Sequence, residues 1–505
     1  MHDPPQPELP TRTFVLVLAV LGVVSLGMQL WLRSHPWIGW GTLGDDAQFW
    51  MARATTVFSS PLEGSHPPMY PLLTAIVGIP LPLLAAGGLV SGLAAALLAP
   101  LAGFTVALTA GRRAGIAAAV LTLGLPHLQL AGLLSEATAL FVLGLAAVTA
   151  VAAVLVRSPS PVRALALGVS VGLLCATKEQ GLAWIPAFVV LPALIVPRRW
   201  SLVGLVALGI ALVLLPLVAA NVTSGSGLLG KVLLPFQDVW AWFAIGKVPP
   251  PLMPRMPGDL PLDASLDGAA PWTLLHAELA RFVGFAGPWV FLVPLGLLGP
   301  VLAWRRKRLS TAQLGLYLLP MSGLVVVIAV PVLERHVEAA LLPVAWGVAT
   351  LAVQLRGRRL ALAAVLALGV VVGNGLDVAP MALARLKWSG EANLVHTREA
   401  EAVLAVLPAG AALCASEGWA VAFIERAERC GPVLQPRTVW LVGRRRLLAC
   451  FDAVPEAAIP VPSEVTPPDQ YLLPVETQAR HTALGVGACG STTLRAHEPL
   501  GMVRR

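Results

Sequence analysis

Charge is scarce in this chain. Asp, Glu, Lys and Arg make up 12% of its 505 residues, against 57% apolar residues and a mean hydropathy of +0.78. That excludes a soluble globular protein, because so much apolar surface exceeds what one core can bury, and lipid must cover the rest. A complete phosphate-binding G-x-x-x-x-G-K-S/T loop is absent, so a nucleotide-fuelled step has no support. Neither C-x-x-C nor a Cys/His pairing at zinc spacing occurs. Internal repeats and low-complexity tracts are lacking too, which argues against a solenoid or a duplicated transporter.

What is present is length without charge. Apolar stretches of about 20 residues, the length a bilayer demands, recur between charged breaks and define roughly eleven spans. Their centres lie near Leu21, Leu98, Leu121, Leu145, Leu173, Phe188, Val213, Leu295, Val327, Trp346 and Leu366. The run from Phe14 to Leu32 has no small-residue cleavage site after it and is expected to be a retained first helix. Arg112-Arg113, Arg157 with Arg163, Arg198-Arg199, the run Arg305 to Arg308, and Arg356 with Arg358-Arg359 fall in alternate short loops. By the positive-inside rule these loops and the N-terminus are cytoplasmic. They largely explain the net charge of +8, so nucleic acid is not an expected partner.

The opposite loops then face outward with Asp45-Asp46, His66, His127, Glu136, Lys178-Glu179 and Glu334-Arg335-His336. The fold expected is an all-α polytopic membrane protein over residues 1–386, with outward loops at 33–70 and 221–282. A small extracytoplasmic α/β domain is expected over 387–505. In the first outward loop, Phe49, Trp50, Ala54 and Val57 are spaced for a short interfacial helix with rings at headgroup depth, which His66-Pro67-Pro68 would end. The second combines Trp240, Trp242 and Phe243 with a proline-rich stretch from Pro249 to Pro261, as in an interfacial helix with a lid. In the tail, Thr397 to Leu407 reads as helix and Thr438 to Val442 as strand. Cys414, Cys430, Cys450 and Cys489 all lie there, and an even number outside the cytoplasm favours disulfides. Of three connectivities, the sequential pairing Cys414 with Cys430 and Cys450 with Cys489 is expected, because neighbours along a short chain meet most readily. Cys175, inside a span, is expected only to pack.

An acidic residue opening an interfacial helix is commonly just an N-cap. Asp45-Asp46 stands out through its company on one membrane face. Lys178-Glu179 and Glu334-Arg335-His336 each interrupt apolar surroundings, where a cation is costly unless it snorkels or meets an anion. A carboxylate base with several cations suits a displacement in which a hydroxyl or amine is deprotonated while a phosphate leaves. Outside the cytoplasm the activated group would arrive on a lipid carrier. The paired carboxylates could also hold a divalent cation; no other cofactor is called for.

Gly44-Asp45-Asp46-Ala47-Gln48-Phe49, His66-Pro67-Pro68-Met69-Tyr70-Pro71, Thr177-Lys178-Glu179 and Glu334-Arg335-His336 with Leu342-Pro343 occur in that order. Together they resemble the landmarks of the multi-pass GT-C glycosyltransferases, in the style of the protein O-mannosyltransferases and aminoarabinose transferases. The resemblance covers about Phe14 to Val378. It implies that Asp45 is the catalytic base, with Asp46 in the adjoining acidic position where Glu is commoner. It further implies that Pro67, Pro68 and Tyr70 position the second juxtamembrane segment, and that Lys178 and Arg335 contact the carrier phosphate. His336 stands where Tyr is common, and Glu136 falls near a further acidic position. His66 and Glu179 flank these motifs and join the expected substrate-binding set.

The resulting expectation is an inverting hexosyl- or pentosyltransferase in a bacterial inner membrane. It would take sugar from a polyprenyl-phosphate donor to a glycan, protein or lipid acceptor outside the cytoplasm. The alternative is a transporter or flippase of a lipid-linked or anionic solute. Transporters bury ionisable groups near the midplane and show repeated halves; here the charges gather at one face.

Overall fold

The computed structural model describes residues 9–34, 50–51, 53–54, 57–58, 67–195, 200–224, 283, 287–321, 334–355, 368–369, 372–373, 412–415, 439–444, 459–460 and 470–474. Through residue 355 it is helical. The elements are α1 (Thr11–Arg33), α2 (Met69–Val77), α3 (Leu83–Ala110), α4 (Arg112–Leu123), α5 (Pro126–Ala131), α6 (Thr138–Arg157) and α7 (Pro161–Thr177). They continue as α8 (Ile185–Ile195), α9 (Trp200–Ser224), α10 (Val293–Arg305), α11 (Thr311–Met321) and α12 (Glu334–Ala352). Tight 3-10 turns at Glu179–Trp184 and Gly287–Leu292 lead into α8 and α10.

Five described helical segments are long and apolar enough to cross a membrane: Thr11–Arg33, Leu83–Ala110, Thr138–Arg157, Trp200–Val222 and Gly287–Arg305. At 1.5 Å per residue, the 23 residues of α1 reach about 34 Å, enough for a hydrocarbon core of about 30 Å. The protein is an integral membrane protein of the polytopic helical class. The expected span centres Leu21, Leu98, Leu121, Leu145, Leu173, Phe188, Val213, Leu295 and Trp346 all fall in helices. Those at Val327 and Leu366 lie outside the described residues.

Burial separates inner from outer helices. In the most apolar stretches of α3 and α6, 67% and 61% of residues are buried, against 17% in α1 and 28% in α9. α3 and α6 therefore form the middle of the bundle, and α1 and α9 give most of their surface to lipid. α1 buries only Phe14, Leu18, Ser25, Gln29 and Arg33, a narrow stripe at helical spacing.

Without a hydrophobic driving force between helices in lipid, close packing through small residues carries much of the association. α7 meets α9 at Gly168 and Gly209, and α10 meets α12 at Gly296, Gly299 and Gly347. A Cβ added at Gly347 would collide with the Gly296 carbonyl. Gly347→Leu should therefore cost about 1–3 kcal/mol or more by overpacking. Gly204→Ala, where an added Cβ meets nothing within 4 Å, should be neutral. Apparent melting temperatures in detergent check both. Polar ties add to this packing: Tyr317 Oη lies 2.8 Å from Thr109 Oγ1 and accepts from Thr350 Oγ1 at 3.0 Å, joining α3, α11 and α12.

Three sequence expectations change. The span centred near Leu121 is broken, because α4 ends at Leu123 and Pro126 opens α5 at a position where proline's missing N–H is tolerated. His127, expected in an outward loop, sits in α5 and is 2% exposed. Trp50, Ala54 and Val57 are buried against protein and are not open to headgroups, whereas Phe58 is 61% exposed. Cys175 is a buried free thiol, as expected.

The described part of the tail is a four-stranded sheet of order β1-β2-β4-β3, built from β1 (Ala412–Ala415), β2 (Val439–Arg444), β3 (Ile459–Pro460) and β4 (Gln470–Pro474). β1 pairs parallel to β2 with Cys414 opposite Leu441, and β4 runs antiparallel to both β2 and β3. The strand expected over Thr438 to Val442 is thus β2. The expected helix over Thr397 to Leu407 and the loop features between Trp240 and Pro261 lie outside the described residues, as do Cys430, Cys450 and Cys489.

Candidate active site

Buried polar side chains concentrate where α1 ends, α3 begins, α6 begins and α7 ends. Arg33, the last residue of α1, is 4% exposed. Its Nη2 donates to the Gly88 carbonyl at 2.7 Å and to the Gly132 carbonyl, fastening α1 to α3 and to the segment after α5. One turn earlier, Gln29 Nε2 donates to the Gln129 backbone carbonyl at 2.8 Å and to its side-chain Oε1 at 3.0 Å. Small residues make room for this. A Cβ on Gly92 would lie 3.4 Å from Arg33 Nε, and one on Gly132 would press to 2.9 Å against the Gln29 amide.

Tyr70 lies beside this layer, fully buried in the first turn of α2. Its hydroxyl is 3.0 Å from the Gly87 carbonyl and 3.1 Å from Ser91 Oγ, and Ser91 donates onward to the Glu136 carbonyl at 3.0 Å. Since Ser91's single proton goes to Glu136, the Tyr70 proton is directed to Gly87 and Ser91. Burial pushes the phenol above its ordinary value. The hydrogen bond with Ser91 works the other way, the nearby Glu136 carboxylate adds to the rise, and Arg33 opposes it. Tyr70 is therefore a neutral donor. Trp50 meets its ring edge-on, with centroids 5.7 Å apart and planes at 81°, so Trp50, four residues past Asp46 in sequence, is seated on this layer.

Tyr70→Phe strips the Gly87 carbonyl and Ser91 of a buried donor. A loss of about 1–3 kcal/mol in stability is expected, read as a lower apparent melting temperature, with Ser91→Ala giving a smaller loss in the same direction.

Lys178 closes the cluster. It caps α7 in an extended conformation, is 4% exposed, and its Nζ donates to Thr138 Oγ1 at 3.0 Å. Thr138 is the first residue of α6, two residues beyond the buried Glu136. Of the expected site residues, Tyr70, Glu136 and Lys178 are thus gathered around the start of α6. Glu179 opens the following 3-10 turn, and Arg335 and His336 occupy the first turn of α12; their side chains are outside the described set. Pro343 lies within α12 beside the fully buried Leu342. Asp45, Asp46 and His66 lie outside the described residues. Arg33, Ser91 and Thr138 are additions that sequence reasoning missed. The available signal for Arg33 was its place as a lone cation closing a span, with Asp45-Asp46 just beyond it. Among the described residues there is no group of three or more His, Cys, Asp or Glu that could hold a metal ion.

Solved structures share the fold of this helical bundle. ArnT from Cupriavidus metallidurans bound to undecaprenyl phosphate matches at a TM-score of 0.54 and 13% identity, over 92% of this chain and 97% of that one. Apo ArnT matches at 0.51 and 15% identity with the same coverage. The apo oligosaccharyltransferase of Archaeoglobus fulgidus matches at 0.52 and 13% identity over 83% of this chain, which spans 64% of that protein's length. No protein family and no curated protein matches the sequence. The chain has the GT-C fold, as the order of its motifs led us to expect.

Proposed function

We propose that this chain is an inverting membrane glycosyltransferase using a polyprenyl-phosphate-linked sugar. The observation that carries the reading is the fold shared along nearly the whole length of ArnT, a protein captured with undecaprenyl phosphate. It is joined here to a buried polar layer on which Trp50, four residues past Asp46 in sequence, packs through Tyr70. In this reading Asp45 takes the proton of an acceptor hydroxyl or amine, and the freed lone pair attacks the anomeric carbon. The bond from that carbon to the phosphate oxygen breaks, and polyprenyl phosphate leaves with the electron pair. Lys178 and Arg335 stabilise the leaving phosphate, and Asp46, His66, His336 and Glu179 complete the pocket. Arg33, Tyr70, Ser91 and Glu136 form the floor that holds the acidic segment in place.

The proposed organisation is a multi-pass membrane domain over residues 1–386, with a cytoplasmic N-terminus and outward loops 33–70 and 221–282. An outward α/β domain over 387–505 admits the acceptor. The setting is a bacterial inner membrane. Cysteine labelling from either side of intact cells tests the orientation: Asp45→Cys should react from outside and Arg306→Cys only after permeabilisation. Labelling of both from one side would overturn it.

A further inference from the structure

Toward the opposite end of the bundle from the polar layer, four helices close around a small internal cavity. Thr105 and Thr109 line it from α3, Thr149 from α6, Tyr317 from α11 and Trp346 from α12. Thr149 lies about 16 Å along α6 from Thr138 at 1.5 Å per residue, so the cavity is separate from the candidate active site. Its volume is about 10 Å³. A single buried water needs roughly 10–15 Å³ of such space and two to four polar partners.

The lining supplies those partners in complementary form. Trp346 is 1% exposed, and no protein acceptor lies within hydrogen-bond distance of its Nε1. An indole N–H only donates, and a buried donor is costly unless something accepts from it. The hydroxyls beside it have the opposite need. Thr149 Oγ1 donates to the Leu145 carbonyl at 2.8 Å, and Thr105 Oγ1 donates to the carbonyls of Leu101 at 2.8 Å and Ala146 at 3.2 Å. Their protons are thereby committed, while their oxygens keep lone pairs for a further donor. Tyr317 is already served: it accepts from Thr350 Oγ1 at 3.0 Å and lies 2.8 Å from Thr109 Oγ1, which donates to the Val106 carbonyl at 3.0 Å. None of the lining residues is charged, which disfavours an ion as occupant.

We propose that this cavity is a binding site for one water molecule, which accepts from Trp346 Nε1 and donates to Thr105 Oγ1 and Thr149 Oγ1. Three hydrogen bonds are typical of a buried water. The water uses one lone pair and both protons, matching one donor and two acceptors on the walls. It links α12 to α3 and α6, which already meet through the Thr105 contact with Ala146. The site uses none of the proposed catalytic residues, so it stands or falls separately from the transferase reading.

The test is a structure of the full chain in lipid nanodiscs, at a resolution that shows ordered water, for wild type and for Thr105→Val/Thr149→Val. Wild type should show one isolated peak within about 3.2 Å of Trp346 Nε1. The double variant should lose it, because valine keeps the branched shape and removes both acceptors. Its apparent melting temperature should also fall, since the indole N–H is then left buried without an acceptor. A second variant, Trp346→benzothienylalanine, puts sulfur in place of the N–H within the same double ring and should lose the peak as well. A dry cavity in wild type overturns the proposal, as does a peak that persists in Thr105→Val/Thr149→Val. Should that variant fail to fold, the substitution at Trp346 decides: loss of the peak supports the proposal, and an unchanged peak overturns it.

Discussion

Asp45→Asn is expected to lower sugar transfer by about 10² to 10⁴-fold, the usual worth of a general base, while leaving the protein inserted and its apparent melting temperature unchanged. The asparagine keeps the size of the side chain and removes the proton acceptor. The contrast with Tyr70→Phe is informative. Tyr70 is fully buried and holds the Gly87 and Ser91 contacts, so its loss shows in stability. Near-normal turnover in Asp45→Asn together with a collapse in Asp46→Asn would move the base by one residue.

The second large effect concerns the carrier phosphate. Lys178→Ala and Arg335→Ala should each weaken donor use roughly tenfold to a hundredfold, since a charge-assisted hydrogen bond to phosphate contributes about 1.5–3 kcal/mol. The loss should fall on KM for the lipid donor. For Lys178 a purely structural role must be separated, because its Nζ already donates to Thr138. Thr138→Val removes that hydroxyl and keeps the charge. If it reproduces the Lys178→Ala defect in donor KM, Lys178 serves α6 and not the phosphate; if donor use survives, the charge is what matters.

The membrane architecture was legible because a span requires only composition over a sufficient length, which α1, α3, α6 and α9 display openly. The break between α4 and α5 was not, because Leu123-Gly124-Leu125 stays apolar and a single proline at Pro126 carries the signal. Lys178 could be singled out as a cation interrupting an apolar run, Glu136 as a lone acid between apolar stretches, and Tyr70 through the order of the motifs that resemble the GT-C family. Arg33 could not, since a cation ending an apolar helix reads equally well as a snorkelling side chain. What gives it a role is the Gly132 carbonyl, 99 residues away in sequence, brought near by helix packing. Ser91 and Thr138 were hidden for a related reason: small hydroxyls are common in membrane helices, and only the approach of α2 and α7 makes partners of them. The burial of Trp50 was likewise misjudged, because an aromatic in a juxtamembrane segment suits headgroups and a protein pocket equally, and the position of Tyr70 decides between them.

The most direct test of the central claim uses the purified chain in sealed proteoliposomes loaded with polyprenyl phosphates carrying radiolabelled sugars, assayed with an extracytoplasmic envelope extract as acceptor. Label should leave the lipid fraction and appear in the acceptor fraction with wild type and not with Asp45→Asn. Label that crosses the bilayer still attached to its lipid, equally in wild type and Asp45→Asn, would contradict the transferase assignment and point to translocation instead.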